Sequence, residues 1–236
     1  MGLELHHHAS PNFNDRRTSI SALVLHYTGM DTAQSAIDRL CDREAGVSAH
    51  YVVEEDGKTW SLVEESKRAW HAGAGVWRGE ADMNSASIGI EIVNGGHNYG
   101  LPEFPEAQID AVITLAQGII QRWDIPQTGI LGHSDMAPER KLDPGEKFPW
   151  HRLSLADIGL WPDVEIIPDL STQVDMSIVK SQLRTIGYGV DDGIDFTPHT
   201  RACVAAFQRR WRADNVTGLL DHDTRARIAL IAAQST

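Results

Sequence analysis

Several short apolar segments in this chain each end at, or carry, one chemically active side chain. Ile20–Tyr27 reads as a buried strand that delivers His26 at its end. Gly129–Gly132 is a shorter one that runs into His133. Ser87–Val93 alternates, with Ile88, Ile90 and Ile92 on one face and Ser87, Gly89, Glu91 and Val93 on the other. Between them lie helix patterns at Thr32–Arg43, with Ala33, Ala36, Ile37 and Leu40 inward, and at Pro105–Trp123. The segments 49–54 and 58–63 flank Asp56-Gly57, a strong hairpin signal. Strands interspersed with helices predict an α/β fold, a central mixed β-sheet flanked by helices, with the site at the strand ends.

Charge divides the chain. Residues 1–168 hold 13 Lys/Arg and 25 Asp/Glu, a balance of −12, and residues 169–236 hold 8 of each. The shift predicts two domains, 1–168 and 169–236, joined over Trp161–Val174, where Pro162 and Pro168 interrupt regular structure. The second part reads as three short helices. Val179, Leu183 and Ile186 recur at helical spacing before Gly187, and Thr197-Pro198 is a capped helix start. Cys203, Phe207 and Trp211 form one apolar face with Arg209, Arg210 and Arg212 off it, and Asp221 opens a third helix.

The net charge of −12 argues against nucleic acid as a partner. No apolar run approaches the roughly 18 residues of a membrane span, and Met1–Arg17 has no basic start followed by an apolar stretch. Two cysteines, Cys41 and Cys203, make neither a disulfide framework nor a thiolate metal cluster. His6–His8 at the terminus carry no functional signal by themselves.

His26, His133 and Asp143 are candidate metal ligands, because imidazole and carboxylate are the types zinc takes in catalytic sites with one position left open. Spacing alone does not separate them from ordinary packed histidines. No His-Glu-x-x-His or Gly-x-Ser-x-Gly is present. Lys141 stands two residues from Asp143, so an extended segment points both side chains one way. His50 precedes a strand and reads as a packing or hydrogen-bonding residue. His71 either lines a cleft or fixes a loop, and Asn94 either donates to a substrate carbonyl or builds the turn with Gly95 and Gly96. Gly95–Leu101, with His97 and Tyr99, reads as a flexible rim.

Six ordered motifs carry a resemblance: Val24–Thr28, Ser48–Tyr51, Ala69–Gly73, Ser87–Glu91 with Asn94, Gly132–Asp135, and Arg140–Gly145. Over roughly residues 10–155 the chain resembles the type 2 N-acetylmuramoyl-L-alanine amidases, zinc enzymes that share a fold with peptidoglycan recognition proteins. The resemblance implies one zinc on His26, His133 and Asp143, Glu91 as catalytic acid/base and Lys141 as electrostatic stabiliser. Peptidoglycan or muropeptide is the implied substrate, cut between N-acetylmuramic acid and L-alanine. His71, Asn94 and His50 are the candidate substrate contacts. The alternative is a non-catalytic peptidoglycan-binding protein on the same fold, disfavoured because all three ligands and Glu91 are present. Leu183–Tyr188, Phe196–Thr200, Val204–Gln208 and Gly218–Asp221 resemble a small peptidoglycan-binding domain, in which Phe207 would be core. That resemblance implies the cell envelope, whereas the missing signal points to the cytoplasm.

Overall fold

The computed structural model describes residues 3–162 and 174–236. The expected join at Trp161–Val174 therefore lies almost entirely outside the described residues. Among the described residues eight strands form: β1 Leu5–His7, β2 Phe13–Asp15, β3 Ala22–Tyr27, β4 Tyr51–Val53, β5 Thr59–Ser61, β6 Lys67–Ala69, β7 Ser87–Ile92 and β8 Ile130–Gly132. The α-helices are α1 Ala33–Cys41, α2 Met83–Ala86, α3 Glu106–Trp123, α4 His133–Met136, α5 Trp150–Ser154, α6 Met176–Ile186, α7 Pro198–Trp211 and α8 His222–Gln234.

A six-stranded sheet runs in the order β1-β5-β4-β7-β3-β8, mixed because only β4 and β5 pair antiparallel. β2 and β6 make a separate antiparallel pair. The α/β expectation is met. The Asp56-Gly57 hairpin is the β4–β5 turn, closed by Gly57 N donating to Glu54 O. Thr32 caps α1 by accepting from Ser35 N, and Thr197 caps α7 by accepting from Thr200 N. The histidine run at the terminus is structured: Leu5–His7 pairs in parallel with Thr59–Ser61, and His6 packs 5.2 Å from the Trp60 ring.

The period-2 pattern of β7 places the two sides of the sheet. Leu23, Leu25, Ile88, Ile90 and Ile92 face α3 and bury against Ile109, Val112, Leu115 and Ile119. On the other side, Ala22, Val24 and Leu131 join a core with Trp77, Met83, Met136 and the C-terminal residues Leu183, Tyr188, Phe207, Trp211 and Ile228. The three C-terminal helices thus share one apolar core with the sheet. Among the described residues no helix is long and apolar enough to cross a membrane.

This shared core contains a charge. The helical pattern set Arg210 among the polar residues of α7, yet it is 3% exposed. Its guanidinium lies between the rings of Trp150 and Trp211, 4.2 and 4.4 Å from their centroids. It donates to Ile130 O at 2.7 Å and stands 3.4 Å from Asp135 Oδ2. Asp135 also accepts from Gly132 N at 2.9 Å and from Tyr188 OH at 2.6 Å. Burial pushes the Asp135 carboxyl up and the Arg210 guanidinium down, against the pull of their pairing. Removing one member leaves a buried charge uncompensated, which costs about 3–5 kcal/mol. Arg210→Met is therefore expected to lower the urea midpoint by that much stability. An unchanged midpoint would show that the Asp135 cluster does not hold the two parts together.

Candidate active site

β3 and β7 run parallel in register, with His26 opposite Glu91. Register partners on adjacent strands project to one face, so both side chains leave the sheet together. β8 ends beside β3, and His133 opens α4 directly after it. Asp143 comes from the loop beyond α4, where its own carbonyl accepts from Ser134 N at 2.9 Å. That bond ties the loop back to the turn carrying His133.

The structure brings the three groups together. His26 Nδ1 lies 2.9 Å from both His133 Nδ1 and Asp143 Oδ2, and His133 Nδ1 lies 3.0 Å from Asp143 Oδ2. All three residues are buried. His133 Nε2 faces the carbonyl of Ala72 at 2.8 Å. A carbonyl only accepts, so this nitrogen carries the proton and Nδ1 turns its lone pair inward. Burial pushes His26 down to about 4, with His133 adding to the effect, which keeps its imidazole neutral at physiological pH. Burial raises Asp143, but His133 and His26 outweigh it and hold the carboxylate ionised. Two imidazoles and a carboxylate aimed at one point form a donor set that fits a cation, and these residues can hold a metal ion.

A cavity of about 420 Å³ opens over this cluster. Its lining includes Glu91, Lys141, His71, Trp70, Arg140 and His97. The Oε2 atom of Glu91 is shielded from solvent and has no hydrogen-bond partner. Burial, reinforced by Asp143 and opposed by Lys141, holds Glu91 well above the usual carboxylate range. An unpartnered buried carboxyl oxygen with a raised proton affinity is equipped to accept and return a proton. Lys141 and Asp143 line the same cavity.

Of the three expected substrate contacts, only His71 lines this cavity. Both its ring nitrogens are engaged, Nδ1 with His26 Nε2 at 3.0 Å and Nε2 with Ser87 Oγ at 3.3 Å. His50 is fully buried. Gly89 N donates to its Nδ1 at 2.9 Å, and Arg16 Nη2 stands 2.8 Å from its Nε2. Burial and the Arg16 charge push His50 down to about 3. Asn94 builds its loop instead, donating to Pro102 O and accepting from Gly96 N, both at 2.9 Å. The packing alternative for His50 and the turn-building alternative for Asn94 are what the geometry displays.

The sequence reading gave no individual role to Arg140, Tyr27 or Glu146. Arg140 Nη2 donates to Ala72 O at 2.9 Å, and to Ala74 O as well. Tyr27 and His97 also line the cavity, and Tyr27 OH, His97 and Glu146 form a chain with 3.0 Å links. Gly96 permits this wall, because a Cβ there would stand 2.4 Å from the Tyr27 ring. The only sequence signal was the glycine-rich run with a histidine, read as a rim.

A mixed sheet that gathers two imidazoles, a carboxylate and an orphaned glutamate over one cleft has the donor set and the proton-accepting group that a metal-dependent hydrolase uses. Residues 15–146 match the family model described as N-acetylmuramoyl-L-alanine amidase. The chain is 39% identical over 227 residues to the N-acetylmuramoyl-L-alanine amidase AmiD of Escherichia coli (strain K12), covering 88% of this chain and 80% of that one. A solved complex of E. coli AmiD with the substrate anhydro-N-acetylmuramic acid-L-Ala-D-γ-Glu-L-Lys superposes with a TM-score of 0.81 at 35% identity, over 94% of this chain and 92% of that one. AmpDh3 from Pseudomonas aeruginosa, in complex with anhydromuramic pentapeptide, gives 0.80 at 30% identity, over 94% and 96% of the two chains. The chain belongs to the N-acetylmuramoyl-L-alanine amidase family. The amidase reading fits these relatives better than a non-catalytic binding protein does.

Proposed function

We propose that this enzyme hydrolyses the amide bond between the lactyl group of N-acetylmuramic acid and L-alanine in peptidoglycan or muropeptides, with one zinc ion per chain. The observation that carries this reading is the orphaned Glu91 Oε2 in the same cleft as the His26, His133 and Asp143 donors. His26, His133 and Asp143 would hold the metal. When bound, zinc acidifies water and polarises a carbonyl. Glu91 takes the proton of the attacking water at its carboxylate and returns it to the leaving amine. Lys141 lends an ammonium to the negative charge that develops on the carbonyl oxygen. His71 holds a wall of the cleft.

The test incubates the zinc-loaded protein with intact sacculi and, separately, with soluble anhydro-muropeptide, and identifies products by mass spectrometry. Peptides with a free L-alanine amino terminus are expected, together with N-acetylmuramic acid residues (the anhydro sugar from the soluble substrate) that carry a free lactyl carboxylate. Muropeptide binding without any cleavage would reverse the reading in favour of a recognition protein. The relative rates on the two substrates bear on the compartment in which the enzyme works.

We further propose that residues 169–236 bind the wall polymer, on the strength of the helix and turn motifs at Leu183–Tyr188, Val204–Gln208 and Gly218–Asp221. Phe207 is fully buried, which fits a core role within such a unit. Glu91→Gln protein should pellet with sacculi even when soluble muropeptide saturates the cleft. Full release by the soluble ligand would assign wall retention to the active site alone.

A further inference from the structure

The outward-facing nitrogens of the two metal-facing histidines end on one dipeptide. His133 Nε2 meets Ala72 O at 2.8 Å, and His26 Nε2 meets His71 Nδ1 at 3.0 Å. For His26 Nδ1 to offer its lone pair beside that of His133, the His26 proton must sit on Nε2, and His71 Nδ1 must accept it. The proton of His71 then lies on its own Nε2, which faces Ser87 Oγ at 3.3 Å. The Ser87 hydroxyl in turn donates to Met83 O. Every donor in this series finds an acceptor, and the series closes on a backbone carbonyl. The His71 ring lies flat against β7 only because residue 89 is glycine: a Cβ there would stand 2.5 Å from His71 Cγ and Nδ1.

One side chain fixes the dipeptide itself. Asn84 Oδ1 accepts from His71 N at 2.9 Å and from Ala72 N at 2.8 Å. Its two lone pairs thus hold the peptide whose imidazole serves His26 and whose carbonyl serves His133. Asn84 is 8% exposed on α2 and does not line the cavity. Partners of this kind set the tautomer and ring orientation of a metal ligand.

We propose that His71 and Asn84 are positioning residues for the metal centre: His71 aims His26 directly, and Asn84 aims both histidines through the His71–Ala72 peptide. The inference rests on the proposed zinc site. Its test measures zinc affinity by chelator competition in the wild type and in Asn84→Leu, Asn84→Asp, His71→Phe and His71→Gln, with circular dichroism to establish folding. Asn84→Leu and His71→Phe remove the acceptor and should weaken zinc binding about 10- to 100-fold, the usual loss for such a partner. Asn84→Asp and His71→Gln keep an acceptor and should retain most of the affinity. In zinc-loaded wild type, ¹⁵N NMR should show both His26 and His133 protonated at Nε2 alone, and zinc-free His71→Phe should show mixed tautomers for His26. Unchanged zinc affinity in folded Asn84→Leu and His71→Phe would overturn the proposal. Should Asn84→Leu fail to fold, the contrast between His71→Phe and His71→Gln decides it. A wild type that binds no zinc would bring down the zinc reading and this inference together, whereas zinc bound equally by all five proteins would bring down only the inference.

Discussion

Chelation is expected to abolish amide hydrolysis, and added zinc to restore it. His133→Ala should be beyond such rescue at ordinary zinc concentrations. His133 is 3% exposed, and its removal leaves one imidazole and one carboxylate at the cluster. Two protein ligands rarely retain zinc against water and buffer. Polarisation of the carbonyl by a metal contributes several kcal/mol to the transition state. At about 1.4 kcal/mol per tenfold, the loss is roughly 10³-fold or more. The measurement is metal content by emission spectroscopy alongside the rate on soluble muropeptide. Full activity in a protein shown to be free of zinc would sink the metal reading.

Glu91→Gln is expected to keep zinc and substrate binding while losing at least about 10²-fold in rate, the scale for removing a general acid/base. The amide has the shape of the carboxylate and cannot accept the proton. The unpartnered Oε2 makes this variant informative, because no hydrogen bond to protein is lost at that atom. The change is therefore chemical, with little structural cost. Lys141→Ala should slow turnover through loss of a contact made in the transition state, lowering kcat and kcat/KM together. Its metal content must be measured too, because Asp143 is only two residues away. A zinc-loaded Glu91→Gln that cleaves at the wild-type rate would move the acid/base role to another group.

The chemical content of the cleft was legible from the sequence to an unusual degree. His26, Glu91 and His133 are placed by strand periodicity and strand ends, which are local properties. β3, β7 and α3 follow from their own apolar patterns, and the helix starts at Thr197 and Asp221 follow from single residues. The outer partners of the site are another matter. Asn84 meets His71 across 13 residues, His26 meets His71 across 45, and Arg16 meets His50 across 34. No local pattern encodes which buried polar group satisfies which.

The sequence by itself determined the element types and the α/β class, because hydrophobic periodicity and capping act within a few residues of chain. The residues with chemistry to offer stood out only through ordered motifs that resemble the amidase family, since a histidine at a strand end has the same local pattern whether it packs or binds. The sequence also separated an acidic part from a charge-balanced helical part. Only the tertiary structure decided that these parts share a core. Helical periodicity reports which face of α7 is apolar, but it cannot show that Arg210 finds two tryptophan faces and, 75 residues earlier in the chain, Asp135. A buried charge is tolerable only when its partners are in place, and the folded chain alone brings them there. The same holds for His50 and Asn94. Their side chains are equally suited to bind a substrate or to satisfy buried backbone, and the neighbours that the fold supplied engaged both in hydrogen bonds to the protein itself.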